Sequence, residues 1–228
     1  MIVEICCDSY EKALAVRKAG GDRIELCGEL AVGGVTPSPE LVARVMRALP
    51  IPVHVMIRPR AGNFHYSPEE TGRMLDSICR VGEISKRSRS EGRKVEMDGV
   101  VFGVLDAAGN VDAETCRRLI RLARSLRLSV TFHRAIDVAK DPLQAFKDIL
   151  PLGVDRVLSS GGAASAFEGR FVLARMQEIS KAEQGPILMP GRGVTAANFE
   201  AIAQTTRTGE IHGSRLEIIG AARLAEAY

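Results

Sequence analysis

Two cysteines, Cys6 and Cys27, each end a short β-like run, "IVEIC" from Ile2 and "RIELC" from Arg23. Two residues before each lies an acid, Glu4 and Glu25. Side chains two apart on a strand share a face, so each run turns a carboxyl and a thiol the same way. Thiols at equivalent places on neighbouring strands, about 4.8 Å apart, admit three outcomes. They are small packing residues, a disulfide, or a two-thiolate seat for a soft ion. A reducing cytosol argues against a lasting disulfide. Among metals the seat points to Cu(I), because zinc takes about four ligands and two thiols are available.

A second set of residues offers acid–base chemistry on a small anion. Glu25 and His133 (in "FHRAID") are the candidate acid and base, with Asp106 in support. Arg58 and Arg60, in "RPR", carry guanidiniums suited to grip a carboxylate or phosphate. The glycine-rich stretches "SSGG", "MPGRGV" and "HGS" follow late strands, where backbone N–H groups can cradle an anion. Gly191, Gly193 and His212 are the residues expected to do so, and Arg192 either helps or points to solvent. The expected ligand is a phosphorylated or carboxylated small molecule. No GxGxxG follows the first strand, and no organic cofactor is indicated.

These residues need a frame that brings strand ends together. Eight β-like runs begin at Ile2, Arg23, Pro52, Gly99, Ser129, Asp155, Pro186 and Gly209. Helical segments separate them, signalled by Ser38-Pro39, Ser67-Pro68, Asp112, Asp141 and Thr195 as starts. Strands alternating with helices, without a linker or composition break, predict one α/β domain over residues 1–228, a single (β/α)8 TIM-type barrel. The third helical region is the longest, and the eighth helix is expected to be short or atypical.

In such a barrel one parity of each strand faces the helices and the other fills the interior. Val3 and Ile5 then face out, leaving Glu4 and Cys6 inside; His54, Met56, Arg58, His133 and His212 also point in. Charges in an apolar interior cost several kcal/mol unless paired, so Glu4 and Glu25 call for Arg58 or a histidine. A polar lumen of this kind predicts a site at the C-terminal ends of the strands.

Composition narrows the partners. A net charge of +3 and 4% aromatics, without tryptophan, argue against nucleic acid, and the basic run Ser85–Lys94 reads as a solvated helix end. No apolar run has the roughly 20 residues of a membrane span. The first residues enter a strand directly, with no leader pattern, which predicts a cytoplasmic protein. The odd count of five cysteines, without CxxC, is not a disulfide framework; Cys7, Cys79 and Cys116 read as packing residues.

Several blocks resemble one family. "RIELCGELAVGGVTPS", "HVMIRPRAGNFHYS", "VFGVLDAAGNVD", "VTFHRAIDVAKDPLQA" and "DRVLSSGG" followed by "MPGRGV" are similar to the CutC family of copper homeostasis proteins. The resemblance implies a TIM-type barrel, a cytoplasmic homo-oligomer (dimer or tetramer), and copper handling with Cu(I) bound by thiols. By motif position those thiols are Cys6 and Cys27. Where the family has "GGDF" this chain has "AGNF", with Asn63 for the acid; where "MPGGG" is usual it has "MPGRG". Beyond His212 the tail is short and dissimilar.

Overall fold

Short runs of β-branched and aliphatic residues, each followed by a capped amphipathic segment, build the computed structural model, which describes residues 1–95 and 97–226. Glu96, Ala227 and Tyr228, within the expected domain 1–228, lie outside the described residues. The strands are β1 (Ile2–Cys7), β2 (Arg23–Leu26), β3 (Val53–Met56), β4 (Gly99–Phe102), β5 (Ser129–Phe132), β6 (Arg156–Ser159), β7 (Ile187–Pro190) and β8 (Glu210–Gly213). Helices follow each: α1 (Tyr10–Lys18), α2 (Pro39–Ala48), α3 (Pro68–Ser90), α4 (Ala113–Ser125), α5 (Pro142–Ile149), α6 (Arg170–Ala182), α7 (Ala196–Thr206) and α8 (Glu217–Glu226).

The helix starts follow their caps. Ser67 and Glu70 form a reciprocal box at α3, Asp112 accepts from Thr115 N, and Asp141 accepts from Leu143 N and Gln144 N. Thr195 N donates to Asn198 ahead of α7. The longest helix is α3, at 23 residues, while α8 has ten, as few as α2.

All strands are parallel, hydrogen-bonded in the order β7-β6-β5-β4-β3-β2-β1-β8, and β7 lies against β8 to complete a nearly closed TIM-type barrel. The alternation of parity holds. Val3, Ile5, Cys7, Ile24, Leu26 and Val55 belong to the apolar layer between strands and helices. Each such side chain stabilises the fold by about 1.5–3 kcal/mol.

The interior is filled by charge instead. Arg23 donates to Glu4 Oε2 at 2.5 Å and to Glu210, and Arg156 Nε donates to Glu210 at 2.8 Å. His54 Nε2 lies 3.1 Å from Ser129 Oγ, with its Nδ1 3.6 Å from Glu4. The expectation that Glu4 meets a histidine is met by His212. Arg58 meets neither acid, because loop carbonyls take its guanidinium.

At the Ser85–Lys94 run, Lys86 and Arg87 are exposed, but Arg93 turns inward and grips Asp98 with both terminal nitrogens.

Candidate functional site

The parallel register sets which side chains meet at the C-terminal mouth. Cys6 on β1 is the partner of Glu25 on β2, and Glu4 is the partner of His212 on β8. The result is a trio: Cys6 Sγ, a Glu25 carboxylate oxygen and a His212 ring nitrogen all lie within 4.8 Å of one another. His212 Nδ1 is engaged by Glu4 Oε1 at 2.8 Å, and its Nε2 stands 3.6 Å from Glu25. One imidazole edge is therefore anchored and the other faces the trio, the way a carboxylate fixes a metal-binding histidine.

The electrostatics follow from burial. Burial opposes ionisation of Glu4, yet Arg23 and His212 hold its carboxyl well below the usual carboxylate range. Among the described residues Glu25 makes no ion pair with an arginine, and burial pushes its carboxyl up to about 7 against the pull of His212 and, more weakly, of Arg134 and Arg23. For His212 burial works against the proton, but Glu25, Cys6 and Glu4 together raise its pKa well above 6.5. A thiol, an imidazole held near its carboxylates and a carboxyl that exchanges its proton near neutrality form a set able to take a metal ion or move a proton.

Cys27 is not in this trio. It lies two residues beyond Glu25, 1% exposed, packed with Met56, Val101 and Leu30, and its thiol donates to the Cys7 carbonyl at 3.6 Å. Burial, with Glu25 adding to it, drives its pKa up and keeps it a thiol. Gly34 lies directly over it: a Cβ there would come 3.3 Å from Cys27 Sγ, and Gly34 also has φ +83°. Cys7 packs outward in the apolar layer, its pKa pushed up to about 12 by burial.

The expected acid–base and anion groups separate. Glu25 and His133 both line the mouth. His133 Nδ1 accepts from Ala135 N at 3.2 Å, so the ring proton sits on Nε2, and burial with Arg58 nearby lowers its pKa to about 3. Asp106 instead closes its own turn, accepting from Ala108 N at 2.9 Å and Asn110 N at 2.8 Å. Arg58 straps two loops together through Val32 O, Gly34 O and Gly62 O. Arg60 reaches α3, donating to Glu70 at 2.6 Å and to Asn63 Oδ1 at 3.0 Å.

Of the three glycine-rich loops, the one after β6 already holds an anion of its own. Asp137 accepts from Ser159 Oγ at 2.6 Å, Ser160 N at 2.9 Å and Gly162 N at 3.2 Å, with Arg134 at 3.2 Å behind it. That carboxylate fills the seat an exogenous anion would take. After β7, Gly191 packs too tightly for a side chain, since a Cβ would meet Leu158 at 2.4 Å. Gly193, Arg192 and His212 line the mouth. Lys12, which the strand pattern gave no reason to single out, lines it too.

Comparison with known proteins places this geometry among relatives. The model of the CutC family matches residues 1–217. A family protein CutC of Xylella fastidiosa (strain 9a5c) is 41% identical over 222 residues, covering 97% of this chain and 78% of that protein. The copper homeostasis protein cutC homolog of Homo sapiens is 39% identical over 213 residues, covering 93% and 72%. Among solved structures, a CutC protein from Streptococcus agalactiae superposes with a TM-score of 0.82 at 31% identity, covering 95% of this chain and 99% of that one. Phosphoribosylanthranilate isomerase of Thermotoga maritima, at 15% identity and a TM-score of 0.60 with both chains fully covered, shares the fold alone. Among the described residues, no helix is long and apolar enough to cross a membrane.

Proposed function

The chain belongs to the CutC family, and from that premise we propose that it is a copper homeostasis protein that holds Cu(I) at the barrel mouth. The Cys6 thiolate and His212 Nε2 are the ligands. The observation that carries this reading is the convergence of Cys6, Glu25 and His212 within 4.8 Å. Sulfur and imidazole suit Cu(I), while the harder carboxylate of Glu25 is the neighbour that receives or releases a proton as the ligands lose theirs. Cys27 is the reserve thiol: it joins only if the loop over it, Leu30–Gly34, lifts.

The test is an anaerobic Cu(I) titration against a chromogenic chelator, with zinc as a parallel arm. Cys6→Ser and His212→Gln are each expected to weaken Cu(I) by more than about 100-fold, and Cys27→Ser by little. Unchanged affinity and stoichiometry in the first two variants would overturn the reading. Loss in Cys27→Ser equal to that in Cys6→Ser would replace it with the two-thiolate seat. Tighter zinc than copper would reassign the ion.

We further propose a cytoplasmic location and a homo-oligomer, a dimer or tetramer, both supported by the family resemblance, and one domain over residues 1–228, supported by the alternation of strands and helices without a linker. Cell fractionation and light scattering of the purified chain test the location and the oligomer.

A further inference from the structure

The mouth is a cavity of about 700 Å³, inside the roughly 300–1,000 Å³ typical of small-molecule sites. A single copper ion occupies little of that space. Its charge is also the wrong sign for a bare cation: Lys12, Arg58, Arg134 and Arg192 line the cavity against one carboxyl, Glu25. Lys12 is matched by Asp8 and Arg134 by Asp137. Among the described residues Arg58 and Arg192 meet no carboxylate: Arg58 gives its terminal nitrogens to carbonyl oxygens and lies 4.8 Å over the Phe64 ring, and Arg192 reaches one carbonyl. Arg58 is buried and Arg192 exposed at the rim, and positive charge without a carboxylate in and around a cavity favours an anion beside it.

Two further observations point the same way. His133, 3% exposed, and Arg58, 6% exposed, both line the cavity, and among the described residues their buried Nε2 and Nε have no hydrogen-bond partner. Unpartnered buried donors are rare and call for an acceptor. Arg192 holds φ +82°, a left-handed conformation costly for a residue with a Cβ, yet its guanidinium makes only a 3.4 Å contact to Ala163 O. Among the described residues its backbone carbonyl accepts from Ala166 N at 2.9 Å, but the side chain gains little in return for the strain; a ligand at the rim would repay it.

A cationic cavity around a soft-metal trio is resolved if copper arrives with a negative escort. Resting on the copper reading, we infer that the mouth accepts Cu(I) as a complex with a low-molecular-weight thiol bearing carboxylates, and that one such thiol stays bound. Its thiolate remains on copper while its carboxylates face Arg192 and the Arg58 side of the cavity. Its carbon skeleton lies along Leu30, Phe64 and Val138. The exchange balances without an oxidant. A Cu–S bond to one of two small thiolates breaks and a Cu–Sγ bond to Cys6 forms. The proton of Cys6 leaves on the displaced thiol, and copper stays in the +1 state. One soft protein thiol then suffices, in keeping with the position of Cys27 outside the trio.

The test is native mass spectrometry of the full chain with Cu(I) in glutathione, in S-methylglutathione (carboxylates, no free thiol) or in 2-mercaptoethanol (thiol, no carboxylate), with a chelator competition alongside. The expected result is one copper and one glutathione per chain, and about tenfold better copper uptake with glutathione than with mercaptoethanol. That ratio should fall severalfold in Arg192→Gln and in Arg192→Gly, the second of which removes the backbone strain and guards against misfolding. Copper retained without a thiol, equal retention of mercaptoethanol, or a ratio unchanged in both variants would overturn this inference alone. Copper absent from every arm would overturn the copper reading itself.

Discussion

Glu4 and His212 are register partners across β1 and β8, and their side chains meet inside the barrel, Oε1 to Nδ1 at 2.8 Å. Arg23 holds the other Glu4 oxygen at 2.5 Å. The imidazole edge that faces Cys6 and Glu25 is therefore set by a carboxylate that itself cannot turn.

Replacing Glu4 by Gln should disturb both function and stability. Without the carboxylate His212 loses its anchor, and Cu(I) affinity should fall about 10–100-fold. Arg23 keeps only Glu210 as a charged partner, and breaking a buried pair costs about 3–5 kcal/mol. Chelator competition and urea titration on one preparation separate the two effects. A folded variant with copper affinity within twofold of the parent would count against the anchoring role.

The buried neutral histidines predict a pH dependence of stability. His54 and His133 have pKa values of about 3 in the fold against 6.5 in the free side chain, lowered by burial first and then by Arg23 and Arg58 respectively. Between pH 6.5 and 3 the unfolded chain therefore binds protons that the fold refuses. Each histidine then makes stability fall as pH drops through that window, by up to about 1.4 kcal/mol per unit. Glu25 and His212, shifted upward, act with the opposite sign, so the clean measurement is a difference. His133→Asn, whose Oδ1 can still accept from Ala135 N, should reduce the slope between pH 6 and 4.5 by about 1 kcal/mol per unit. Parallel slopes for parent and variant would refute the assignment.

Arg192→Gly should make the protein more stable. Glycine accepts φ +82° without the side-chain clash, which is worth about 1–2 kcal/mol, less the extra freedom it gives the unfolded chain. The expected net gain is roughly 0.5–1 kcal/mol, or about 1–4 °C in melting temperature for a chain of this size. Calorimetry checks it; a drop in melting temperature would mean that the guanidinium contact to Ala163 outweighs the strain.

Asp137→Ala should empty the anion seat after β6. Ser159 Oγ and the N–H groups of Ser160 and Gly162 would lose their shared acceptor, costing about 2–4 kcal/mol. Acetate or phosphate should then raise the variant's melting temperature more than the parent's. Equal responses to salt would show that the seat does not outlive its carboxylate.

Much of the frame was legible because parity is local. Val3 and Ile5 against Glu4 and Cys6 give the inside and outside of β1 from five letters, and the cap residues at Ser67 and Asp141 mark where helices begin. What could not be read is stagger. Neither strand alone says that Cys6 stands beside Glu25 instead of Cys27; that offset comes from the tilt of all the strands around the ring. The loops were opaque for a different reason. "RPR" reads as two anion clamps, but the same donors satisfy carbonyls of the loops they stabilise, and Arg60 meets Glu70 ten residues later. "SSGG" reads as an empty cradle because its occupant, Asp137, lies more than twenty residues upstream.

The interior ion pairs carry one more consequence. Arg156 at the floor of the barrel touches Glu210, Glu210 touches Arg23, Arg23 touches Glu4, and Glu4 touches His212 at the mouth. The links from Glu210 onward are buried, where salt screens little, and Arg156 is partly exposed. The two ends of the barrel are thus electrically continuous: a charge gained or lost on the floor is felt by the imidazole at the top, through a column of side chains rather than through any movement of the chain.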